Sequence, residues 1–421
     1  MVSRQTAAGP RQAEADALLA DWAAPGGSED PYPLYARLRA LAPVHRSASG
    51  GVYLTRYDDC AGVIRDPSLG AQSPAWMDQV RPGWREHPGL RLTHESFLFR
   101  DPPDHTRLRR MVSGAFTQRK AGAQRAHTAG LVTGALDVVA DAGATGGTVD
   151  LQEVLATSLP ISAVSHVLGV PEADFPLLRE PLEGLRLAAD GRSGTMDLTV
   201  VDQAAAALLD YFAGLAAQRR RDPQDDLISA LVAIADPAAD APAAGPSLTD
   251  VELLQSITLI FSAAIESMVD LLLNGTRALL LHPEQAKALR ADPGLAAGAV
   301  EEALRYDPPV QAMGRITRSA VTVGGVDVPA GNRLLIMLGA ANRDPDQFSA
   351  PDGFDIRRQG PPVLSFGGGA HFCLGAALAR LQAGLFFPAL LTRFPNLALA
   401  GPPVRRGLVL RGFATFPVTL A

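Results

Sequence analysis

The stretch that decides the fold is Ser365-Phe-Gly-Gly-Gly-Ala-His-Phe-Cys-Leu-Gly375, followed by a helix-like run from Ala376 to about Phe387, just before Pro388. Its three consecutive glycines allow a tight turn and let the backbone approach a flat ligand closely. Cys373 then lies at the start of a helix, where backbone N–H groups and the positive end of the helix dipole favour a thiolate over a thiol. The pattern predicts a cysteine that binds a metal.

The alternative for a cysteine in such a turn is a buried, inert thiol. Four fixed positions, Phe366, Gly369, Cys373 and Gly375, are spaced as Phe-x-x-Gly-x-x-x-Cys-x-Gly and favour the ligand interpretation.

Composition limits the classes of protein that this chain can be. Of its 421 residues, 47% are hydrophobic and 19% are charged, which is typical of a globular protein, and the net charge of −6 argues against a general nucleic-acid binder. Cys60 and Cys373 provide no disulfide framework, which fits a reducing cytoplasm. Residues 1–20 lack the arrangement of a signal peptide, and acidic residues interrupt the apolar stretch 251–273, so we expect no membrane span.

Hydrophobic periodicity predicts a mainly α protein. Residues 102–292 are mostly helical in pattern, and Ser247-Leu-Thr-Asp250 is typical of a helix start, which predicts one long buried helix to about Leu281. The Pro/Ala-rich segment 236–246 is predicted to be a surface loop. Short strands are predicted at 44–47, 52–55, 320–337 and 396–421.

The Cys373 segment resembles the haem-binding loop of the cytochrome P450 superfamily, specifically its soluble bacterial class. Other segments match that family in its own order and span roughly residues 30 to 420. The resemblance implies a mainly α cytochrome P450 fold with small peripheral β-sheets around a buried haem: a flexible leader at 1–12 and a single domain at 13–421. The matching segments are Asp101–Arg110 (the haem-edge helix), Asp222–Leu227 (a turn common in bacterial members), Glu302–Arg305 (the Glu-x-x-Arg helix) and Phe354–Arg358 (the meander).

The resemblance assigns the residues that hold haem b (iron protoporphyrin IX). Cys373 is the thiolate ligand of the iron, and Phe366, Gly369 and Gly375 belong to the loop around it. His105, Arg109, Arg315 and His371 match contacts to the haem propionates. The alternative for His105 and Arg109 is a solvated helix face that they share with Arg107 and Arg110.

Glu302 and Arg305 lie three residues apart on one helix face, where an exposed pair would contribute little to stability. The resemblance instead implies a buried pair that meets an arginine of the meander, Arg358, and that supports folding and haem retention.

The segment Ala263-Ala264-Ile265-Glu266-Ser267 departs from the family, which usually has Ala-Gly-x-acid-Thr where the long helix passes over the haem. Ala264 is expected to narrow the groove for dioxygen. Ser267 keeps the hydroxyl that helps deliver protons, and Glu266 supplies an acid for a proton relay. The alternative is that Glu266 is a salt-bridged helix acid and Ser267 a small packing residue.

The substrate pocket and the redox partner can be placed only by resemblance. Substrate contacts are expected from 72–98, about 180–196, 261–267, 310–313 and 411–413, with an apolar lining. Its candidate side chains, each of which taken alone is more often plain core than a ligand contact, are Trp76, Met77, Phe97, Phe261, Met313 and Phe413.

We therefore expect a cytoplasmic, monomeric haem-thiolate monooxygenase acting on a small organic substrate, with electrons from NAD(P)H through a ferredoxin reductase and a ferredoxin. All but two of its 38 basic residues are arginine, a bias typical of high-GC bacteria such as actinobacteria, so a secondary metabolite is the expected substrate class. The alternatives are an atypical oxidation (desaturation, oxidative coupling or peroxide use) and a non-catalytic haem sensor. Arg107, Arg110 and Arg380 form either a ferredoxin-binding patch or an ordinary solvated surface.

Overall fold

The computed structural model describes residues 9–24, 29–48, 50–144, 146–156, 158–189, 198–236 and 247–420, with the backbone alone at 187–189. Most of the predicted loop 236–246 and part of the predicted pocket segment 180–196 therefore lie outside the described residues.

Within the described residues, the α-helices are α1 (Pro10–Ala23), α2 (Tyr32–Leu41), α3 (Tyr57–Arg65), α4 (Pro74–Val80), α5 (Pro88–His94), α6 (Asp104–Ser113), α7 (Gln118–Ala123), α8 (Arg125–Ala142), α9 (Leu151–Ala156), α10 (Leu159–Leu168), α11 (Phe175–Ala189), α12 (Leu198–Arg221), α13 (Leu227–Ala235), α14 (Asp250–Leu281), α15 (Pro283–Ala291), α16 (Ala296–Tyr306), α17 (Leu338–Ala341) and α18 (Ala376–Arg393).

The strands are short and form small separate sheets. Their bounds are β1 (Val44–Arg46), β2 (Val52–Leu54), β3 (Leu69–Gly70), β4 (Val149–Asp150), β5 (Met313–Thr317), β6 (Val321–Val323), β7 (Val326–Val328), β8 (Arg333–Ile336), β9 (Ala398–Leu399), β10 (Val404–Arg406), β11 (Gly412–Thr415) and β12 (Pro417–Thr419). The largest sheet has the order β1-β2-β8-β5-β3, and the others are β10-β11, β4-β12-β9 and β6-β7. The predicted mainly α fold with peripheral sheets is confirmed.

Helix α14 is the central element of the fold. Thr249 accepts from the Glu252 N–H, and the Glu252 carboxylate accepts from the Thr249 N–H, so a capping box fixes the start of the helix. Its first half packs in one hydrophobic cluster with α10 and α12, and its second half packs in another with α8, α16 and α18. The predicted long buried helix is confirmed, and its middle turns lie where the two clusters meet.

The helix after Cys373 does not end before Pro388, as the sequence led us to expect, but continues to Arg393. A proline inside a helix removes one backbone hydrogen bond and crowds the carbonyl four residues earlier, here that of Gly384. The side chains of Phe386, Phe387 and Leu390 on either side of Pro388 are fully buried, so packing outweighs the lost bond.

At the other end of the chain, α1 begins at Pro10, inside the segment 1–12 that we predicted to be a leader. Residues 1–8 lie outside the described residues, so the leader stays a prediction.

Two described helices, α12 and α14, are long and apolar enough to span a membrane by length and composition. This is weak evidence, because core helices of soluble proteins pass the same test. In α14 the apolar window is 67% buried inside the fold.

The Glu302 carboxylate joins α16 to the segment before the Cys373 loop. It accepts from Nε and Nη2 of Arg305 at 2.7 and 2.8 Å and from Nε of Arg358 at 3.1 Å. Arg305 also donates to the carbonyls of Pro351 and Gly353, each at 2.7 Å. The predicted buried pair and its partner Arg358 are confirmed.

Candidate active site

The loop before Cys373 is held by its own backbone. The Cys373 N–H donates to the Phe366 carbonyl at 2.9 Å, and the Gly367 N–H donates to the Leu364 carbonyl at 2.8 Å. Gly369 has φ +61, and a Cβ added there would lie 3.1 Å from the Ile64 carbonyl oxygen of α3. The positive φ and this close approach explain why glycine is needed at position 369.

Cys373 lies just before α18 and is exposed on one side. Desolvation by the surrounding atoms raises the pKa of its thiol, although N–H groups of Gly375 and Ala376 and the charges of Arg109 and Arg380 act in the opposite direction. The N–H groups at the helix start thus favour the thiolate as expected, but their effect on the pKa of the free thiol is smaller than that of desolvation. A bound metal cation would favour the thiolate form of Cys373, since a coordinating thiol loses its proton.

Two histidines and two arginines from three separate segments gather beside this loop. The ring centroids of His105 and His371 are 4.1 Å apart. Among the described residues, neither ring nitrogen of His105 has a hydrogen-bond partner, and the same holds for Nη2 of Arg315, although these atoms are buried. Arg109 donates to the Phe372 carbonyl. Desolvation, followed by the charges of His105, Arg315 and Arg109, lowers the pKa of His371 to about 3.

This cluster has the properties of an anion site. Buried donors without acceptors are costly unless a ligand supplies the acceptor. The charges give the same indication, because Asp101, the carboxylate that acts on both His105 and Arg315, is shared with Arg318 at 2.8 Å. A haem fits these residues: a sulfur donor for the iron, a flat glycine turn beside it, and unpaired donors for the two propionates. The structure thus brings together all of the predicted propionate contacts.

On α14, Ala263 and Ser267 lie four residues apart on one helix face. The Ser267 hydroxyl donates to the Ala263 carbonyl at 2.9 Å. Ala263 is exposed and Ser267 partly exposed, although the helix as a whole is buried. Ala264 is partly buried and packs against the cluster that contains Phe261 and Ile265. The effect of its methyl group on oxygen binding stays a prediction.

Glu266 belongs to an ionic cluster that connects α11, α14 and β10. Its carboxylate accepts from Nη2 of Arg406 at 2.8 Å and lies 4.0 Å from Nε of Arg186. The same Arg406 nitrogen lies 3.4 Å from Asp270, and Nη1 lies 3.6 Å from Glu183. The alternative of a salt-bridged helix acid thus has direct structural support.

Both α14 carboxyls in this cluster are difficult to ionise. Desolvation raises the pKa of Glu266 despite Arg406, and it raises the pKa of Asp270 to about 7. Asp270 was not predicted to be a site residue, although it lies one helical turn after Glu266 on the same face. Nor was Arg406, for which the sequence carries no local signal.

Comparison with known proteins agrees with this geometry. The family model "Cytochrome P450" matches residues 294–401. The cytochrome P450 monooxygenase PikC of Streptomyces venezuelae is 39% identical over 94% of this chain and 91% of its own length. The nocardicin C N-oxygenase of Nocardia uniformis subsp. tsuyamanensis is 39% identical over 93% of this chain and 96% of its own length. The chain belongs to the cytochrome P450 family. Its enzyme class is that of the cytochrome P450 monooxygenases.

A solved structure shows the same fold. P450BioI, in complex with an acyl carrier protein that carries hexadec-9Z-enoic acid, superimposes with a TM-score of 0.85 at 33% identity and covers 94% of this P450 and 99% of its own chain. The expected P450 fold is confirmed.

Some of the expected pocket residues of this P450 lie elsewhere. Phe261 and Phe413 are fully buried: Phe261 packs edge-on against Phe212 with ring centroids 5.3 Å apart, and Phe413 against Phe416 at 4.9 Å. Both predictions as pocket lining are wrong, because these side chains point into the core. Met77 and Phe97 are also core residues, whereas Trp76 and Met313 are partly exposed.

The expected basic patch is partly neutralised. Arg107 pairs with Glu252, and Arg380 contacts Glu301 at 2.5 Å while its guanidinium lies 4.5 Å from the centre of the Phe366 ring. Arg110 is exposed. Two of the three arginines thus already have carboxylate partners.

Proposed function

We propose that this P450 inserts one atom of dioxygen into a small natural-product intermediate, with electrons from NAD(P)H through a ferredoxin reductase and a ferredoxin. The observation that carries the proposal is the convergence of three groups at one site: an accessible cysteine, the His105 ring and Nη2 of Arg315, the last two without a hydrogen-bond partner among the described residues. Relatives whose names include monooxygenase and N-oxygenase support the reaction class. We further propose a monomer in the cytoplasm.

In this proposal the haem supplies the redox chemistry at its iron, and the protein holds and orients it. Cys373 would supply the sulfur ligand of the iron, while Phe366, Gly369 and Gly375 shape the loop that carries this cysteine. His105, Arg109, Arg315 and His371 provide donors to the propionates. Charge-assisted hydrogen bonds of this kind would satisfy donors that have no protein acceptor.

Ser267 is the proposed proton donor on the opposite side of the site. Its hydroxyl donates to the Ala263 carbonyl and can also accept a bond from water, so it can relay a proton without leaving the helix. Glu266 can take part only if it exchanges its bond to Arg406 for one to water. Ala263 and Ala264 shape the space beside the hydroxyl.

The substrate class rests on the relatives and on the arginine bias. Nocardicin C N-oxygenase and 6-deoxyerythronolide B hydroxylase carry the names of natural products, and the second is 33% identical over 97% of this chain. We propose that a biosynthetic intermediate of similar origin is oxidised here.

A second candidate is an atypical oxidation, favoured by the Ala264 and Ser267 substitutions and by the engaged Glu266. Use of peroxide would need no proton delivery to dioxygen, because peroxide already carries both protons. Desaturation and oxidative coupling would need the same protons as hydroxylation and would differ only in the fate of the oxidised substrate. A haem sensor without catalysis is the least favoured function, because Ser267 keeps a hydroxyl that a sensor has no need of.

Labelled dioxygen distinguishes these functions. The holoenzyme, with ferredoxin, reductase and NADPH, is expected to place one labelled oxygen atom in the product. A product that lacks label and has lost two hydrogens would support desaturation, and turnover with hydrogen peroxide alone would support the peroxide route. The test compounds are the intermediates made by enzymes that neighbouring biosynthetic genes encode. If the iron is fully reduced and none of these compounds gives a product, the proposed function is wrong.

A further inference from the structure

A groove of about 420 Å³ lies over one face of the five-stranded sheet. Tyr53 of β2 is paired in register with Leu335 of β8, and Arg333 lies two residues before Leu335. Side chains alternate between the faces of a strand, so Tyr53, Arg333 and Leu335 share the face that forms the floor. The walls are α4, with Trp76 and Val80, and the turns at 50–51 and 330–332.

The groove lies on the opposite face of the sheet from the haem-binding cluster. Arg315 of β5 is paired with Leu334, whose side chain points away from the groove. Gly314 is paired with Leu335 and so lies beneath the groove, where a Cβ would lie 3.0 Å from Oε1 of Gln72 and 3.5 Å from Nε of Arg333. The side chains of Gln72 and Arg333 thus both pass close to the backbone at position 314.

Arg333 is the exposed residue of β8. Among the residues that the structure describes, no carboxylate lies within 4.0 Å of its guanidinium, and the guanidinium donates no hydrogen bond. Surrounding atoms lower the pKa of Arg333, with only the Tyr53 hydroxyl acting against this. Desolvation lowers the pKa of the nearby His94, and the charges of Arg333 and Arg81 act in the same direction.

Apolar and aromatic surface lies beside this cation. The Trp76 indole N–H donates to the Gly331 carbonyl at 3.3 Å and so holds the ring at the edge of the groove. Tyr53 and Leu335 add apolar area to the floor. A cation next to such surface is complementary to a molecule with one anionic group and an apolar body.

We propose that this groove is a binding site for a small organic carboxylate, with Arg333 bound to the carboxylate and Trp76, Tyr53 and Leu335 covering the apolar part. The site goes beyond the proposed function, because no group in it belongs to the haem cluster. The carboxylate could belong to the substrate or to a separate ligand, and both share this chemistry.

Calorimetric titration of the holoprotein with phenylacetate tests the proposal, with the neutral phenylacetamide as the matched ligand. Phenylacetate is expected to bind the wild-type protein, and Arg333→Gln to weaken it by about tenfold or more, the effect of one lost charge-assisted contact. Phenylacetamide is expected to bind weakly to both proteins. Arg37→Gln, which removes an exposed arginine on α2, is expected to leave phenylacetate binding unchanged.

Three outcomes would overturn the site: no saturable binding of phenylacetate to the wild-type protein, equal affinity in Arg333→Gln, or equal affinity for the acid and the amide. The Soret band, followed in the same titration, separates the two sources of carboxylate. An Arg333-dependent spin shift shows that binding in the groove is coupled to the haem, as expected for a substrate carboxylate, and binding without a shift identifies a separate ligand. Neither the binding nor the Soret measurement requires turnover. Failure of the proposed function, which is tested by product formation, would therefore be distinguishable from failure of this site.

Discussion

Glu266 and Asp270, one turn apart on α14, share a single guanidinium nitrogen of Arg406, at 2.8 Å from Glu266 and 3.4 Å from Asp270. Two carboxyls that share one cation in a buried position cannot both ionise at low cost. Asp270 is the more buried of the two and lies against β11, where a Cβ at Gly412 would overlap its carboxylate. The cluster therefore makes stability depend on pH.

The sign follows from the pKa of Asp270, which rises from 3.8 in the unfolded chain to about 7 in the folded protein. Between these values the folded state holds more protons, so this group lowers the free energy of unfolding as pH rises from about 4 to about 7. Asp270→Asn removes the effect. We compare the melting temperature of Asp270→Asn with that of wild type at each pH. This difference is expected to be more favourable to the variant at pH 7.5 than at pH 5, by about 2–4 °C. The exposed Asp141→Asn is the control, and a parallel pH dependence of wild type and Asp270→Asn would refute the raised pKa.

Glu302 and Glu301 are neighbours on α16 with opposite surroundings, which makes them a matched pair. Glu302→Gln leaves the buried Arg305 without its carboxylate, and we expect a loss of ~3–5 kcal/mol in the free energy of unfolding. Glu301→Gln breaks only the exposed pair with Arg380 and is expected to cost less than about 1 kcal/mol. Urea denaturation of the holoprotein measures both, and similar losses would show that the Glu302 network is not the stronger one.

The hydroxyl of Ser267 is expected to support coupling of electrons to product. Ser267→Ala should lower product formed per NADPH and raise release of hydrogen peroxide by roughly tenfold, less than the ~10²–10⁴-fold effect of a group that transfers the proton directly. Ser262→Ala is the control, because Ser262 lies on the same helix and also donates to a carbonyl one turn earlier. Equal coupling in the two variants would remove Ser267 from proton delivery.

His105 is expected to hold the haem and not to take part in turnover. His105→Ala removes a donor that has no protein acceptor among the described residues, so the apoprotein should keep its stability while haem is lost about tenfold faster. Transfer of haem to apomyoglobin measures the loss. The surface variant His127→Ala should behave as wild type, and an unchanged transfer rate in His105→Ala would speak against the propionate contact.

The sequence predicted those parts of the site whose residues are close together in the chain. The Cys373 turn and the Glu302–Arg305 pair lie within single segments, and the family pattern added Arg358 to the pair. Arg406 could not be found in this way, because 140 residues separate it from Glu266 and only the packing of β10 against α14 brings them together.

The direction of side chains also limited how much of the site could be predicted from the sequence. Periodicity shows that α14 is apolar on several faces, and it does not show which face meets the haem. Phe261 was therefore assigned to the pocket although it packs against Phe212 in the core. The sequence also led us to expect a helix end before Pro388. The helix continues because the neighbours of Pro388 are buried, and burial is a property of the folded protein.

The central claim is that Cys373 is the thiolate ligand of the haem iron, and the absorption spectrum of the reduced protein with carbon monoxide tests it most directly. Wild type and Cys60→Ala, which alters the other cysteine, are both expected to show the red-shifted Soret band of thiolate ligation. Cys373→Ser is expected to lose that band. A red-shifted band that survives in Cys373→Ser, or an imidazole-like band in the wild-type protein, would contradict the assignment.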